Sequence, residues 1–174
     1  MKRIDWDALA PLGLGGRRTA MQICLGLGAS SGFAWIFYWS SENKYRRQLY
    51  KRYFSKWGSA VPEFKPGAVM APFYQVLDNS LLCFGLLALC MIPLAAWHYW
   101  YHYQGSRSIY LMRRLPDRRE LLRRCLALPL LGVAACAVCS AVQLLIFYAV
   151  YIYSTPPQYL QPGQWRMLWE NLFY

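Results

Sequence analysis

Carboxylates are scarce in this chain: eight Asp/Glu stand against nineteen Lys/Arg in 174 residues. No paired-carboxylate or Ser-His-Asp arrangement can be placed in a site, so neither general acid–base nor nucleophilic hydrolysis is expected. There are only two histidines. No carboxylate or third ligand lies near them in sequence, which argues against a built metal centre. The third lack is of charge itself. Residues 19–40, 81–100 and 126–153 contain no Asp, Glu, Lys or Arg.

Those runs set the class. A hydrocarbon core about 30 Å thick takes roughly 20 apolar residues to cross, and a chain with 57% hydrophobic and 17% aromatic residues exceeds what a soluble domain carries. The expected fold is an all-α integral membrane protein with three transmembrane helices, at 19–40, 76–103 and 125–153. The third is longer than a perpendicular crossing needs, so it tilts or protrudes. The last two spans contain Pro93 and Pro129, which membrane helices tolerate when neighbours satisfy the freed carbonyls. A cleaved signal is rejected for the first run, which ends in Phe37, Tyr38 and Trp39 rather than small residues. These three fit an interfacial belt, as do Trp97, Tyr99, Trp100, Tyr101 and Tyr103 at the end of the second span.

The basic residues divide among the polar segments. Three crossings put segments 1–18 and 104–124 on one side with eleven Lys/Arg, and segments 41–75 and 154–174 on the other with eight. The positive-inside rule then favours a cytoplasmic N-terminus in a multi-pass protein of the cell membrane. In the outer segment, Tyr45, Leu49, Tyr53 and Trp57 recur at helical spacing among Lys44, Arg47 and Lys51. A basic amphipathic helix over 42–57 is therefore expected, lying at the interface or extending the first span, and suited to anionic lipid head groups. Gly58 ends it and 59–72 reads as irregular chain. After Pro156, Pro157 and Pro162-Gly163, residues Trp165, Leu168, Trp169, Leu172 and Phe173 line one face of a short interfacial helix.

The remaining signals are bland. Five of six cysteines fall inside the spans, and the Cys136/Cys139 pair lacks the second pair that zinc needs. His98 and His102 stand four apart at the end of the second span, a spacing open to haem or metal, though the aromatic belt accounts for them equally. Gly13 to Gly16 reads as a joint after a surface helix at 5–10. Gly28 and Gly32, and Gly132, Cys136 and Ser140, form small-residue faces for helix packing, with Gly26 and Ser30 beside the first pair. Gln143 is expected to face protein or a cavity, and Asp78 and Asn79 to cap the second span, with a substrate contact as the alternative.

The most distinctive stretch is 104–125, QGSRSIYLMRRLPDRRELLRRC. Ser106 or Ser108 can cap a short helix carrying Ile109, Met112 and Leu115 on one face; Pro116 stops it, and Asp117 with Glu120 forms a capping box for the next helix. This order of elements, with S-I-Y-L-M-R-R-L-P-D-R-R-E-L-L-R-R between the second and third spans, resembles the first half of a type-2 ABC transporter permease. In that family the loop is cytoplasmic and holds a coupling helix that docks on the nucleotide-binding subunit. The resemblance assigns partner contact to Ile109, Met112, Arg113, Arg114, Leu115 and Pro116. It also implies a second membrane subunit or a homodimer, since the family normally has six spans.

The expected function is therefore that of a non-catalytic, cofactor-free transmembrane subunit of an ABC-type complex. Its partners would be a soluble ATPase and anionic lipid, with no nucleic acid. The alternatives are an accessory membrane subunit that binds lipid or stabilises a larger complex, and a haem- or quinone-linked anchor.

Overall fold

The computed structural model describes residues 15–54, 60–64, 67–104 and 118–173, with side chains over 15–49, 67–101 and 122–171. Its membrane body is all-α. Among the described residues three helices are long and apolar enough to cross a bilayer: α1, Gly16–Leu49; α3, Leu82–Gln104; and α4, Arg118–Ser154. Between the first two come a hairpin, β1 (Tyr50–Phe54) and β2 (Ala60–Phe64), and a short helix α2, Phe73–Leu77. A single 3-10 turn at Pro157–Tyr159 and helix α5, Gln164–Phe173, follow α4.

Each long helix buries a narrow seam and leaves the rest of its surface apolar and exposed. On α1 the buried positions are Thr19, Ile23, Ser30, Ala34, Tyr38, Glu42 and Leu49, spaced by four or seven; on α3 they are Phe84, Met91 and His98, seven apart. On α4, Cys125, Leu128, Cys136, Gln143, Phe147 and Tyr151 recur at steps of three, four, seven or eight. Such steps return to one helix face, so each helix turns a single stripe inward. Leu25, Ile36, Leu89, Ile92, Leu130 and Val138 stay more than half exposed. In water such a surface would drive aggregation; against acyl chains it is neutral.

The helices fall into two compact units, each containing parts of α1 and α4. In the first, residues 15–31 of α1, all but the first residue of α3, and α4 up to Ser140 pack together. The Ser30 hydroxyl lies 3.5 Å from the Cys83 carbonyl. A Cβ placed on Gly26 would stand 2.9 Å from Leu87 Cδ1, and one on Gly132 would stand 2.7 Å from Met91 Sδ and 3.6 Å from Ile23 Cδ1. Contacts that descend α1 ascend α3, so the two run antiparallel. Here small residues permit close helix approach.

In the second unit, residues 32–49 of α1 run parallel to 141–154 of α4, joined by the hairpin, α2, the 3-10 turn and α5. Tyr38 stacks on Phe147 at 4.2 Å and 5°, with Trp35 edge-on to both rings. The Tyr151 hydroxyl donates to the Ala71 carbonyl at 2.7 Å, and the Met70 amide donates to the Tyr159 carbonyl at 2.9 Å. Gln164 Oε1 accepts the Phe73 N–H at 2.7 Å, satisfying a donor that the first turn of α2 leaves orphaned, while its Nε2 donates to the Gln161 carbonyl. Phe73, Tyr148, Trp165 and Trp169 form an edge-to-face series on this side.

Several sequence expectations are corrected. The helix expected over 42–57 ends at Leu49, and Tyr50–Phe54 pairs antiparallel with Ala60–Phe64, Tyr50 opposite Phe64 and Phe54 opposite Ala60. Tyr- and Phe-rich segments suit a pleated ladder once a partner strand is in reach, a long-range fact that local periodicity does not carry. Up to Leu49 that segment continues the first helix, one of its two expected placements, and α3 starts at Leu82, after the chain turns at Asp78. Tyr38 is fully buried and so does not belong to the belt, whereas Phe37, Trp39, Trp97, Tyr99, Trp100 and Tyr101 are exposed.

Asp78 does not cap α3. It ends α2 with φ +37 and ψ −127, a conformation that a residue with a Cβ adopts at a cost. Replacing it with glycine removes the steric penalty and keeps the main-chain bond from its amide to the Tyr74 carbonyl at 3.2 Å. Asp78→Gly is expected to stabilise the protein by about 1 kcal/mol, read as a raised unfolding midpoint in detergent. A lowered midpoint would mean that the carboxylate makes a contact worth more than the strain.

Candidate functional site

Among the polar groups on the seams of the described residues, a buried histidine in one unit and a buried carboxylate in the other anchor two arrangements. The first begins with Pro129. Proline has no N–H, so in α4 the carbonyl four residues back, that of Cys125, loses its helical partner. His98 supplies the replacement: Nδ1 lies 3.3 Å from the Cys125 oxygen, and both residues are 1% exposed. A carbonyl only accepts, so Nδ1 is the donor in this bond. The imidazole thus bridges α3 to the broken turn of α4.

The second lies where α1 and α4 approach their C-terminal ends. Glu42 is 4% exposed, an expensive state for a carboxylate without partners. It has two on the same oxygen: Arg46 Nη2 at 2.7 Å, one turn on along α1, and the Ser154 hydroxyl at 2.8 Å. Arg46 Nη2 also donates to the Ser154 carbonyl at 3.0 Å, so the guanidinium caps the C-terminal end of α4, where the helix dipole favours a cation. The latch is thus a buried acid, a partly exposed base and a helix end that each satisfy another. Beside it a shallow, wide-open groove of about 440 Å³ lies on one face of α4, lined by Ile146, Ala149, Val150, Tyr153 and Ser154.

The residues singled out in the sequence are distributed unevenly around these arrangements. Ile109, Met112, Arg113, Arg114, Leu115 and Pro116 lie outside the described residues, as do the surface helix at 5–10, Asp117, and the side chains of His102 and Glu120. Helix α4 does begin at Arg118, directly after Pro116-Asp117. Of the packing residues, Gly132 makes a close interhelical approach, while the Ser140 hydroxyl bonds back to the Ala137 carbonyl of its own helix. A Cβ on Gly28 or Gly32 would meet nothing within 4 Å among the described residues, and the close approach on α1 belongs to Gly26. Gln143 is buried, as a mid-span amide requires.

His98 has a structural role that accounts for its burial without haem or metal. Among the described residues no group of three or more His, Cys, Asp or Glu is placed to hold a metal ion. All six cysteines are free thiols, with Cys125 and Cys136 buried among apolar neighbours. Sequence reasoning missed Glu42, Arg46 and Ser154. Their signal is present, in a lone acid one turn before an arginine in an otherwise basic, aromatic segment. Comparison with known proteins adds no name: no family model, no curated protein and no solved structure matches this chain.

The His98–Pro129 pairing gives a test with a defined sign. His98→Ala leaves the Cys125 carbonyl unsatisfied and is expected to cost about 1–3 kcal/mol. In a Pro129→Ala background the restored N–H reclaims that carbonyl, and the same histidine change should cost clearly less. A double-mutant cycle on detergent unfolding measures the coupling. Equal costs in both backgrounds would show that His98 packs as a bulky side chain only.

Proposed function

We propose that the chain is a non-catalytic transmembrane subunit of an ABC-type transport complex, docked to a soluble ATPase through its 104–124 segment. The observation that supports this reading most is the continuity of α4. It starts at Arg118, inside the arginine-dense segment, and runs unbroken to Ser154, about 55 Å at 1.5 Å per residue. A displacement applied at the basic end of such a rod is delivered beyond the far side of a 30 Å hydrocarbon core. The same segment carries Ile109, Met112 and Leu115 at three-residue intervals between arginines, a pattern suited to a helix-in-groove contact with an apolar centre and a charged rim. Hydrolysis would occur in the soluble partner, and a second membrane subunit or a second copy would complete the assembly.

On this reading the centre of the contact, not its rim, holds the partner. Met112→Asp or Leu115→Asp is expected to weaken co-purification of a soluble chain with ATPase activity and a G-x-x-x-x-G-K-[ST] motif by thirtyfold or more, about 2 kcal/mol. Arg118→Gln and Arg123→Gln should cost about 0–1 kcal/mol each, as exposed ion pairs do. If the arginine changes abolish capture while the Asp changes do not, the segment is an electrostatic contact and the coupling reading fails.

The reading also fixes orientation in the cell membrane, with the N-terminus and 104–124 cytoplasmic and the hairpin outside. In a cysteine-free background, a single cysteine replacing Ser106 should resist an impermeant thiol reagent in intact cells, and one replacing Gly67 should react. The opposite labelling pattern would overturn it.

A further inference from the structure

We propose that the groove beside the Glu42–Arg46–Ser154 latch is a binding site for one anionic phospholipid, its acyl chain lying along α4 and its phosphate meeting Arg46. This inference rests on the membrane architecture and the latch alone, and stands independently of any ATPase partner. The groove lining is apolar over Ile146, Ala149 and Val150 and turns polar only at Ser154. Ser154 is where Arg46 arrives, its Nη2 3.0 Å from the carbonyl. The groove therefore has a hydrocarbon floor and a cation at one end, the two chemistries that a phospholipid joins.

The donors of Arg46 are divided in a way that suits this ligand. Nη2 serves Glu42 and the Ser154 carbonyl, while Nε and Nη1 have no partner among the described residues and the side chain is 37% exposed. Either free donor can give a single charge-assisted hydrogen bond to a phosphate oxygen. Glu42 offsets much of the Arg46 charge, and the exposed Lys44 and Arg47 close by on α1 leave this end of the helix basic.

Depth agrees with charge. Trp39 is 60% exposed and marks the interface. Arg46 lies seven residues further on, about 10 Å along the helix axis, where the head-group layer is about 5–8 Å deep. Side chains on a helix lean toward its N-terminus, and the N-terminal part of α1 is its membrane-spanning part. The long Arg46 and Arg47 side chains thus reach back into the phosphate layer rather than away from it. Tyr153, 91% exposed beside the groove, offers the amphipathic ring found at that level.

The experiment is native mass spectrometry of the full chain in mixed micelles of dodecyl maltoside with either dioleoyl phosphatidylglycerol or dioleoyl phosphatidylcholine. The wild-type protein should retain one phosphatidylglycerol in preference to phosphatidylcholine. Ala149→Trp, which fills the groove, should lower that retention about tenfold, the scale of one charge-assisted contact. Arg46→Gln alone leaves Glu42 buried and unpaired and could unfold the latch, so Glu42→Gln with Arg46→Gln is the informative variant, and it too should lose about tenfold. Arg166→Gln, on the exposed face of α5, should change nothing. Equal retention of the two lipids by the wild type overturns the proposal, as does phosphatidylglycerol retained by the Glu42/Arg46 double variant. Loss on Lys44→Gln with Arg47→Gln but not on Ala149→Trp also overturns it, because attraction is then a property of the basic surface and not of the groove.

Discussion

A polar group buried in an apolar seam has no water at hand to satisfy it, and both of these polar arrangements answer that constraint. A proline in α4 frees a carbonyl, and a histidine from α3 takes it up. A carboxylate is buried near the end of α1, and an arginine one turn away together with the last serine of α4 surround it. In each case the polar partner lies on a different helix or reaches one, so satisfying the group also fixes the pairing of helices. Apolar seams have no such selectivity. Between helices bathed in lipid, a leucine gains little by touching a neighbour instead of an acyl chain, and these few directed contacts set which helices meet and in what register.

Close approach is the second determinant, and it explains why only some of the glycines pack. Gly26 and Gly132 fall on the buried stripes, where Leu87 and Met91 lie so near that a methyl group would collide. Gly28 and Gly32 are two and six residues away from Gly26, which turns them by about 200° and 240° at 100° per residue, onto the exposed side. The spacing that marks a small-residue motif was readable in the chain, but which of two overlapping motifs faces inward depends on the helix's rotation. The partner side chains set that rotation.

The same distinction separates what the sequence reveals of the fold from what it conceals. Absence of charge over 19–40, 81–100 and 126–153 identifies three spans because the cost of burying a charge in hydrocarbon acts on each residue alone. Likewise the Pro162-Gly163 break and the aromatic run after it announce α5, since Gly163 adopts φ +76 at the turn itself. Long-range pairings were not legible. The strand at Tyr50–Phe54 needs Ala60–Phe64, Tyr38 leaves the aromatic belt only because Phe147 stacks on it, and Glu42 is intelligible only with Ser154 beside it. The candidate coupling residues rest on the sequence pattern, since 105–117 lie outside the described residues.

Pro129 also bears on how motion would pass through the first unit. A proline removes one bond from the ladder and is where a helix most readily kinks. His98 spans that point, tying the weakened turn of α4 to α3; Met91 packs against Gly132 one turn beyond the proline. Bending at Pro129 alone would break the imidazole bond and strand the Cys125 carbonyl in an apolar seam, at a cost of about 1–3 kcal/mol. Moving α3 and this part of α4 together keeps that bond. On the proposed reading, a force on the segment that joins these helices is therefore carried by the pair as one body. The element that holds the pair together at the proline is the single hydrogen bond from His98.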